Sequence, residues 1–413
     1  MSDSSLGVEA TSPRRNRLDS SLNIILLVAL VAVIAIAGIF GYTIWQDRQE
    51  RIKSTPALRT ITELEAQTRK APNNVPLHVR LGEAYAAAGM ATQAIKQLQV
   101  ATKLDPKHTG AWLDLGMIAM NEKKYPEAKG YFTKVVDLTA GADFQNVNNR
   151  RENAFYGLGI IGLETKQYEE AVGRFKEALR IRDDASDTYY HLALAYRGLG
   201  EDDAAIDQLQ LALAFDPSFD AGNYLLGQIY LDRKDLVNAS YHFHTASVSA
   251  PESEQVQQAL DKIGTAASWY GKAQSQFKAG DVDTAVESIL IARNLDPENA
   301  GYAKLHGQIL VARKDLTDAL DVYLQAAKLE PKDAKVQAQI KRLTPLVPAK
   351  AALEVYLKAA GQDTANKQLR AEVTRLTRAL PKATAIAIYK KVGRTDSQNP
   401  VVLEGLAKLQ GKK

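Results

Sequence analysis

Five proline-terminated phrases recur along the chain and limit the folds that it can adopt. The phrases are KLDP, AFDP, SAP, NLDP and KLEP, and they end at Pro106, Pro217, Pro251, Pro297 and Pro331. Two neighbouring pairs of these prolines are 34 residues apart. That period is typical of helix-turn-helix arrays, in which proline ends the second helix because it cannot continue one. The sequence therefore predicts an all-α array of stacked helix pairs.

Seven units can be placed in register, beginning at residues 75, 109, 152, 186, 220, 266 and 300. The motif residues of two well-matched units are Trp112, Leu115, Gly116, Ala128 and Phe132, and Leu226, Gly227, Tyr230, Ala239, Phe243 and Ala246. Small residues let two antiparallel helices approach closely, and large residues fill the seam between them. The pattern resembles the tetratricopeptide repeat family. The resemblance implies a right-handed superhelical solenoid over residues 75–333, whose first helices line a concave groove.

Two insertions interrupt the period. Residues 141–151 are polar and rich in asparagine, which predicts a loop standing off one edge of the array. Residues 254–265 keep a helical composition. They predict either a lengthened first helix in the sixth unit or a separate helix before it.

An apolar segment precedes the array. Residues 22–45 carry no charge and supply roughly the 20 apolar residues that a bilayer core requires. Tyr42 and Trp45 stand where interfacial aromatic residues belong, and three arginines precede the segment, at Arg14, Arg15 and Arg17. The sequence predicts a polar tail at 1–20, a single-pass transmembrane anchor at 21–45 and a juxtamembrane or capping helix within 46–74.

Alternatives to this anchor stay open. Residues 35–37 (AIA) have the small-x-small form of a signal-peptide cleavage site, although the apolar run continues to Ile44 and favours an uncleaved anchor. Residues 13–15 only loosely match a twin-arginine signal. Basic residues flank the segment on both sides, so charge does not decide its orientation. We favour a cytoplasmic N-terminus with the repeat domain outside the cytoplasm.

The last 80 residues, 334–413, predict degenerate repeat-like helices with a basic bias. Between 350 and 413 there are 13 Lys and Arg against 5 Asp and Glu, while the whole chain has a net charge of +4. These residues form either a solvated face or a contact with an acidic protein or an anionic lipid surface. Nucleic acid is not expected as a partner, because stacking aromatic residues do not alternate with the basic ones.

Residues that carry catalytic chemistry are scarce. The chain has no cysteine, which excludes disulfides and thiolate metal sites. It has no glycine-rich phosphate loop, nucleophile elbow or HExxH motif. His242 and His244 are two residues apart on a predicted helix and point to different faces. We therefore expect no enzymatic activity, no cofactor and no metal site.

The predicted groove carries a row of tyrosines. The resemblance implies that positions 5 and 9 of each first helix face the groove. Position 5 holds Leu113, Tyr156, Tyr190, Tyr224, Tyr270 and Lys304 from the second unit onward, and position 9 holds Ile160, Leu194, Gln228, Gln274 and Gln308 from the third. Tyrosine offers a broad surface and a hydroxyl, and glutamine both donates and accepts hydrogen bonds, so the row suits a protein segment. Alternatively, some tyrosines fill the seam between neighbouring units.

Together these patterns predict a membrane-anchored scaffold for protein–protein interaction. Its client is a protein of unknown identity, and its expected role is to assist the assembly or retention of a membrane or envelope complex. Two alternatives remain: a cytoplasm-facing receptor for a translocon, and a regulatory subunit of an enzyme complex.

Overall fold

The computed structural model of the chain describes residues 40–43, 56–141 and 149–411. The predicted tail at 1–20 lies outside these residues, as does the predicted anchor at 21–45 except for its helical residues 40–43. Among the helices of the described ranges, none is both long and apolar enough to cross a bilayer. The anchor therefore stays a prediction from the sequence.

The chain divides into two compact units between Ile161 and Gly162. Up to this point the described helices are α1 (Pro56–Lys70), α2 (Val75–Ala87), α3 (Ala91–Leu104), α4 (Thr109–Asn121) and α5 (Tyr125–Leu138), and α6 (Asn149–Glu164) spans the division. Beyond it are α7 (Tyr168–Leu179), α8 (Ser186–Leu199), α9 (Asp202–Phe215), α10 (Asp220–Asp232), α11 (Leu236–Ser249), α12 (Glu254–Ile263), α13 (Ala266–Lys278), α14 (Val282–Leu295), α15 (Ala300–Arg313), α16 (Leu316–Leu329), α17 (Ala334–Leu343), α18 (Ala349–Gln362), α19 (Lys367–Ala379), α20 (Lys382–Thr395) and α21 (Pro400–Gln410). The described residues contain no β-strand, so this part of the chain is an all-α helical repeat.

The proline phrases end three of the second helices in the same way. Helices α3, α9 and α14 stop at the residue before Asp105, Asp216 and Asp296, which adopt φ values between −145° and −133°. Each aspartate precedes a proline, whose ring disfavours the helical conformation of the residue before it. The Asp-Pro pair therefore terminates the helix and lets the chain turn into the next unit.

Helix starts agree with the periodic pattern except at the first insertion. Six of the seven unit starts predicted above coincide with the first residue of a helix, whereas α6 begins at Asn149 instead of 152. Residues 149–151, predicted as the end of a loop, are thus helical, and 142–148 lie outside the described residues. The side chain of Arg151 donates a hydrogen bond of 2.7 Å to the Val136 carbonyl, which ties this first turn to α5.

The second insertion forms a helix of its own. Residues 254–263 are α12, and Gly264 separates it from α13 with a φ of +95° that favours glycine. Of the two predicted alternatives, the separate helix is the one observed. Its apolar side contributes Val256, Ala259 and Ile263 to the core.

Glycine facing an aromatic ring allows the two helices of a unit to pack closely. The pairs are Gly116 with Phe132, Gly227 with Phe243 and Gly307 with Tyr323. A Cβ atom added to any of these glycines would lie only 2.6–2.7 Å from a ring carbon. The seam therefore depends on the missing side chain.

The C-terminal helices repeat with a period of 33 residues, which the proline phrases do not reveal. A hydrogen bond of 2.7 Å joins the hydroxyls of Thr344 and Tyr356, and one of 3.0 Å joins those of Thr377 and Tyr389, each residue 33 after its counterpart. Asn366 and Asn399, also 33 apart, cap α19 and α21. The region predicted as degenerate is thus a regular repeat.

Pro400 has a different role from the one predicted. The sequence pattern places it at the end of a last unit, but it is the first residue of α21. Proline is well tolerated there, because the first helical residue needs no amide hydrogen for the helix and already favours the ring's φ. The Asn399 side chain accepts hydrogen bonds from the amides of Val401 and Val402 and fixes this start.

The C-terminal repeat also changes how the helices pack. In the repeats up to α16, the two helices of a unit pack against each other, as α10 does with α11 and α15 with α16. Beyond α16, α17 packs on α16 and makes no comparable contact with α18, while α18 packs directly on α16 and on α20. The position that faces Tyr323 as Gly307 is occupied by Ile340 before Tyr356 and by Val373 before Tyr389. A branched side chain leaves no room for the close approach that glycine permits.

We predict that Gly227→Ala lowers the free energy of unfolding by about 1–3 kcal/mol, because the new Cβ would overlap the Phe243 ring. Gly173→Ala on α7 is the matched control, since nothing lies within 4 Å of its Cβ position. It is expected to raise the free energy of unfolding by about 0.5–1 kcal/mol, because alanine is the better helix former. Urea denaturation measures both variants, and equal effects would contradict the role given to the seam.

Candidate protein-binding groove

The residues predicted for the groove all lie on first helices of the repeats, but they differ in accessibility. Leu113 on α4 is only 8% exposed, so it contributes packing and no accessible surface, contrary to its predicted place. Tyr156 and Ile160 on α6 are half-buried, as are Tyr190 and Leu194 on α8, Tyr224 and Gln228 on α10, Tyr270 and Gln274 on α13, and Lys304 on α15. Gln308 on α15 is exposed.

Three of the tyrosines pack against other aromatic rings. The ring centroids are 5.6 Å apart for Tyr190 and Phe219, 5.7 Å for Tyr224 and Phe243, and 4.8 Å for Tyr270 and Tyr302. Phe219 and Tyr302 belong to the following unit, so Tyr190 and Tyr270 fill the seam between units as the alternative interpretation expects. Each ring nevertheless keeps an accessible part. Burial, and to a smaller extent Asp220, raises the pKa of Tyr190.

A cavity of about 220 Å³ lies between α10 and α12 and brings together two of the predicted groove residues, Tyr224 and Gln228. The Gln228 side-chain amide donates a hydrogen bond of 2.9 Å to the Tyr224 hydroxyl. That hydroxyl keeps its own hydrogen for a further bond, and Gln228 keeps its carbonyl oxygen. The remaining lining residues are Arg197, Leu231, Asp232, Phe243, Gln255, Gln258, Ala259 and Lys262.

An ion pair closes one side of this cavity. A guanidinium nitrogen of Arg197 on α8 lies 2.9 Å from a carboxylate oxygen of Asp232 on α10, and another lies 3.8 Å from Asp202. These residues hold positions 12 and 13 of their units, which the sequence pattern also assigns to the groove face. The pair contributes little to stability at an exposed site, but it places one cation and one anion beside the tyrosine.

The inserted helix α12 supplies the opposite wall. Gln255, Gln258 and Lys262 come from it, and Ala259 packs into the core beneath them. Sequence reasoning did not assign these residues to the site, because it left open whether the insertion was a helix and where that helix would lie. Its glutamine-rich composition, next to the Gln228 row, was the available signal.

Lys304 does not present a free charge to a partner. Its ammonium group lies 2.9 Å from a carboxylate oxygen of Glu330 and 3.1 Å from one of Asp333. The hydrogen bonds that it donates to them raise the pKa of Lys304. Its predicted contribution to the groove is thus reduced to the aliphatic part of its side chain.

A carboxyl group in the N-terminal unit has a perturbed pKa. Burial of Asp114 on α4, and to a smaller extent the charge of Glu83, raises its pKa to about 6. Arg150 acts in the opposite direction. An unfavourable buried carboxylate beside another acidic group, on a first helix, is a feature of a binding surface more than of a packed core.

The histidines have structural surroundings. His242 stacks on Tyr230 at 5.6 Å, and its Nδ1 lies 3.0 Å from the Asn223 amide oxygen. Burial lowers the pKa of His242 to about 4. Within the described residues, no group of three or more His, Asp or Glu side chains is placed to hold a metal ion.

Comparison with known proteins agrees with this geometry. A tetratricopeptide repeat family model matches residues 79–143, 156–220 and 270–334. The chain contains tetratricopeptide repeats. The three matches include Tyr156, Tyr190, Tyr224 and Tyr270, so the tyrosine row lies within matched repeats except where Tyr224 follows the end of the second match at residue 220.

Solved structures of tetratricopeptide repeat proteins are similar to parts of the chain. YrrB, described as having an unusual peptide-binding site, is 16% identical with a TM-score of 0.40, covering 48% of this chain and 97% of YrrB. MamA of Desulfovibrio magneticus RS-1 is 21% identical with a TM-score of 0.39, covering 44% and 97%. PilF of Pseudomonas aeruginosa is 18% identical with a TM-score of 0.38, covering 57% and 97%. No curated protein sequence is significantly similar to the chain.

We predict that Asp114→Asn stabilises the protein most at neutral pH. The pKa of Asp114 is about 6 in the folded protein and near its ordinary value of 3.8 when unfolded. The unaltered chain therefore gains stability as the pH falls from about 6 towards about 4, because the folded state binds the proton more tightly. The advantage of the variant should shrink over this range. Urea denaturation of both proteins at several pH values tests this, and a constant difference between them would contradict it.

Proposed function

We propose that the chain is a non-enzymatic scaffold that binds a segment of another protein on the first-helix face of its repeats. The cavity between α10 and α12 carries this proposal, because its lining combines an aromatic surface with unsatisfied amide groups. Tyr224 supplies the surface, and Gln228 and Gln258 supply groups that both donate and accept hydrogen bonds. A peptide backbone, which presents donors and acceptors in alternation, matches such a lining.

The size of the cavity supports a protein segment over a small molecule. Its volume of about 220 Å³ is below the roughly 300–1,000 Å³ of pockets that hold a complete small ligand. It is large enough for a side chain of a longer segment, while the rest of that segment extends over the neighbouring first helices. The half-buried rings of Tyr190 and Tyr270 would provide further contact area on α8 and α13.

We further propose that residues 22–45 hold this scaffold in a membrane, with the repeats outside the cytoplasm. The uncharged stretch of sufficient length and its flanking arginines and aromatic residues support this part. A binding surface tethered to a membrane would retain its client, or an assembly containing that client, at the bilayer. The identity of the complex is for the captured client to establish.

Photocrosslinking in native membranes tests the proposal. A photoreactive residue at Gln258, which is exposed at the cavity, is expected to capture a defined partner, whereas one at Tyr241, 54% exposed on α11, is the control outside the cavity. Loss of the hydrogen bonds of Gln228 in Gln228→Ala should weaken binding of that partner about 3- to 10-fold. Equal capture at both positions would exclude this cavity as the site.

A variant without residues 1–45 forms the second arm of the experiment. It should leave the membrane fraction and still bind the captured partner in solution. A truncated protein that stays with the membranes would contradict the anchor, and loss of binding by a folded truncated protein would contradict a site formed by the repeats alone.

A further inference from the structure

A second cleft, of about 590 Å³, lies beyond the seven repeats and is larger than the cavity beside Tyr224. Its walls are α17 and α19, and its floor is formed by α16 and α18. All four helices belong to the unit that begins at Gly162, so the cleft is formed within one compact body. We name it the C-terminal cleft.

The packing of the helices explains why the cleft exists. In a regular repeat, the first helix covers the second helix of its own unit, as α15 covers α16. Here α17 packs on α16 and leaves α18 uncovered on the side that carries Tyr356, Ala359 and Gln362. The cleft therefore occupies the position that a first helix holds in the preceding units. Its shape is suited to a helix.

The chemistry of the floor and rim is that of a helix-binding groove. Leu324, Ile340 and Tyr356 contribute apolar surface at the floor, although each is largely buried. Lys328 stands at the end of α16 and Lys341 on α17, and both side chains are exposed at the rim. An amphipathic helix would place its apolar stripe on this floor and its polar flanks beside the lysines.

The charges of the cleft select the sign of the partner. Glu372 and Arg375 form an ion pair with each other. The Asp363 carboxylate accepts a hydrogen bond from Asn366, and that of Asp321 accepts one from Gln325. Lys358 lies 3.5 Å from Glu354.

Lys328 and Lys341 remain after these pairs are formed. Neither has a carboxylate oxygen within ion-pair distance among the residues that the structure describes. The surrounding helices add to the positive field, since residues 350–413 carry 13 Lys and Arg against 5 Asp and Glu. The cleft thus offers two uncompensated cations to an incoming group.

We propose that the C-terminal cleft binds an acidic amphipathic helix of a partner protein, with carboxylates of that helix beside Lys328 and Lys341. This site is separate from the cavity between α10 and α12 and does not depend on the function proposed for it. A scaffold with both sites could hold two segments at once.

Fluorescence anisotropy with a designed probe tests this proposal on the full chain in detergent. The probe is a helix-stapled peptide with leucine along one stripe and glutamate on its flanks, and the control probe has lysine in place of glutamate. We expect the glutamate peptide to bind and the lysine peptide not to bind. Raising the salt concentration should weaken the binding of the glutamate peptide.

Two variants locate the binding. The double variant Lys328→Glu/Lys341→Glu should weaken the glutamate peptide about tenfold or more and allow the lysine peptide to bind. Lys335→Glu on the same α17 is the matched control, because its exposed side chain lies outside the cleft. Gln362→Trp should block both peptides by filling the cleft without altering its charge.

The outcomes separate the possible occupants. Equal losses in the double variant and in Lys335→Glu would reduce the effect to general charge and overturn the proposal. So would vesicles of phosphatidylglycerol and phosphatidylcholine that bind through Lys328 and Lys341 while the glutamate peptide does not, because the surface would then recognise lipid. Gln258→Ala should leave peptide binding unchanged, which distinguishes failure at this site from failure of the proposed groove.

Discussion

The close contact between a first helix and the second helix of its own unit determines how the rest of this structure is arranged. A helix pair of this length cannot bury its apolar face alone, so stability comes from packing against neighbours. Gly227 facing Phe243 shows the condition for that packing, since a Cβ there would overlap the ring. Where the glycine is retained, the unit closes. Where Ile340 takes its place, the first helix packs on the preceding second helix and a cleft remains.

The same relation connects the fold with the two candidate binding surfaces. Both include a short ten-residue helix that follows a proline, α12 after Pro251 and α17 after Pro331. The side-chain amides of Gln257 and Gln337 donate to the carbonyls of these prolines, so the two helices start in the same way. In each case the short helix forms one wall of a cavity. Departures from the regular repeat, more than the repeat itself, create the places where a partner could bind.

The sequence predicts the regular units well because local signals and packing signals coincide in them. Asp216 and Pro217 end a helix through backbone sterics alone, and Gly227 records the close approach directly. Beyond α16 these signals separate. The proline that ends a unit is replaced by Thr364 after Asp363, while Asn366 retains the capping role that proline phrases do not report. A repeat with an intact cap and an altered seam was therefore interpreted as decay.

The candidate sites were predictable to a smaller extent. Tyr224 and Gln228 follow from their positions on the first helix, and the structure places them side by side. The wall that faces them does not follow, because a position in an insertion carries no fixed relation to the repeat. Leu113 occupies the same repeat position as Tyr224 and is buried, since burial depends on the neighbouring unit as well as on the position within the unit.

Hydrogen–deuterium exchange of the full chain, free and with its crosslinked partner, tests the central claim most directly. If the partner segment binds between α10 and α12, backbone amides of both helices should exchange more slowly in the complex, while those of α5 in the N-terminal unit stay unchanged. Protection confined to other helices, with α10 and α12 exchanging as in the free protein, would contradict the account.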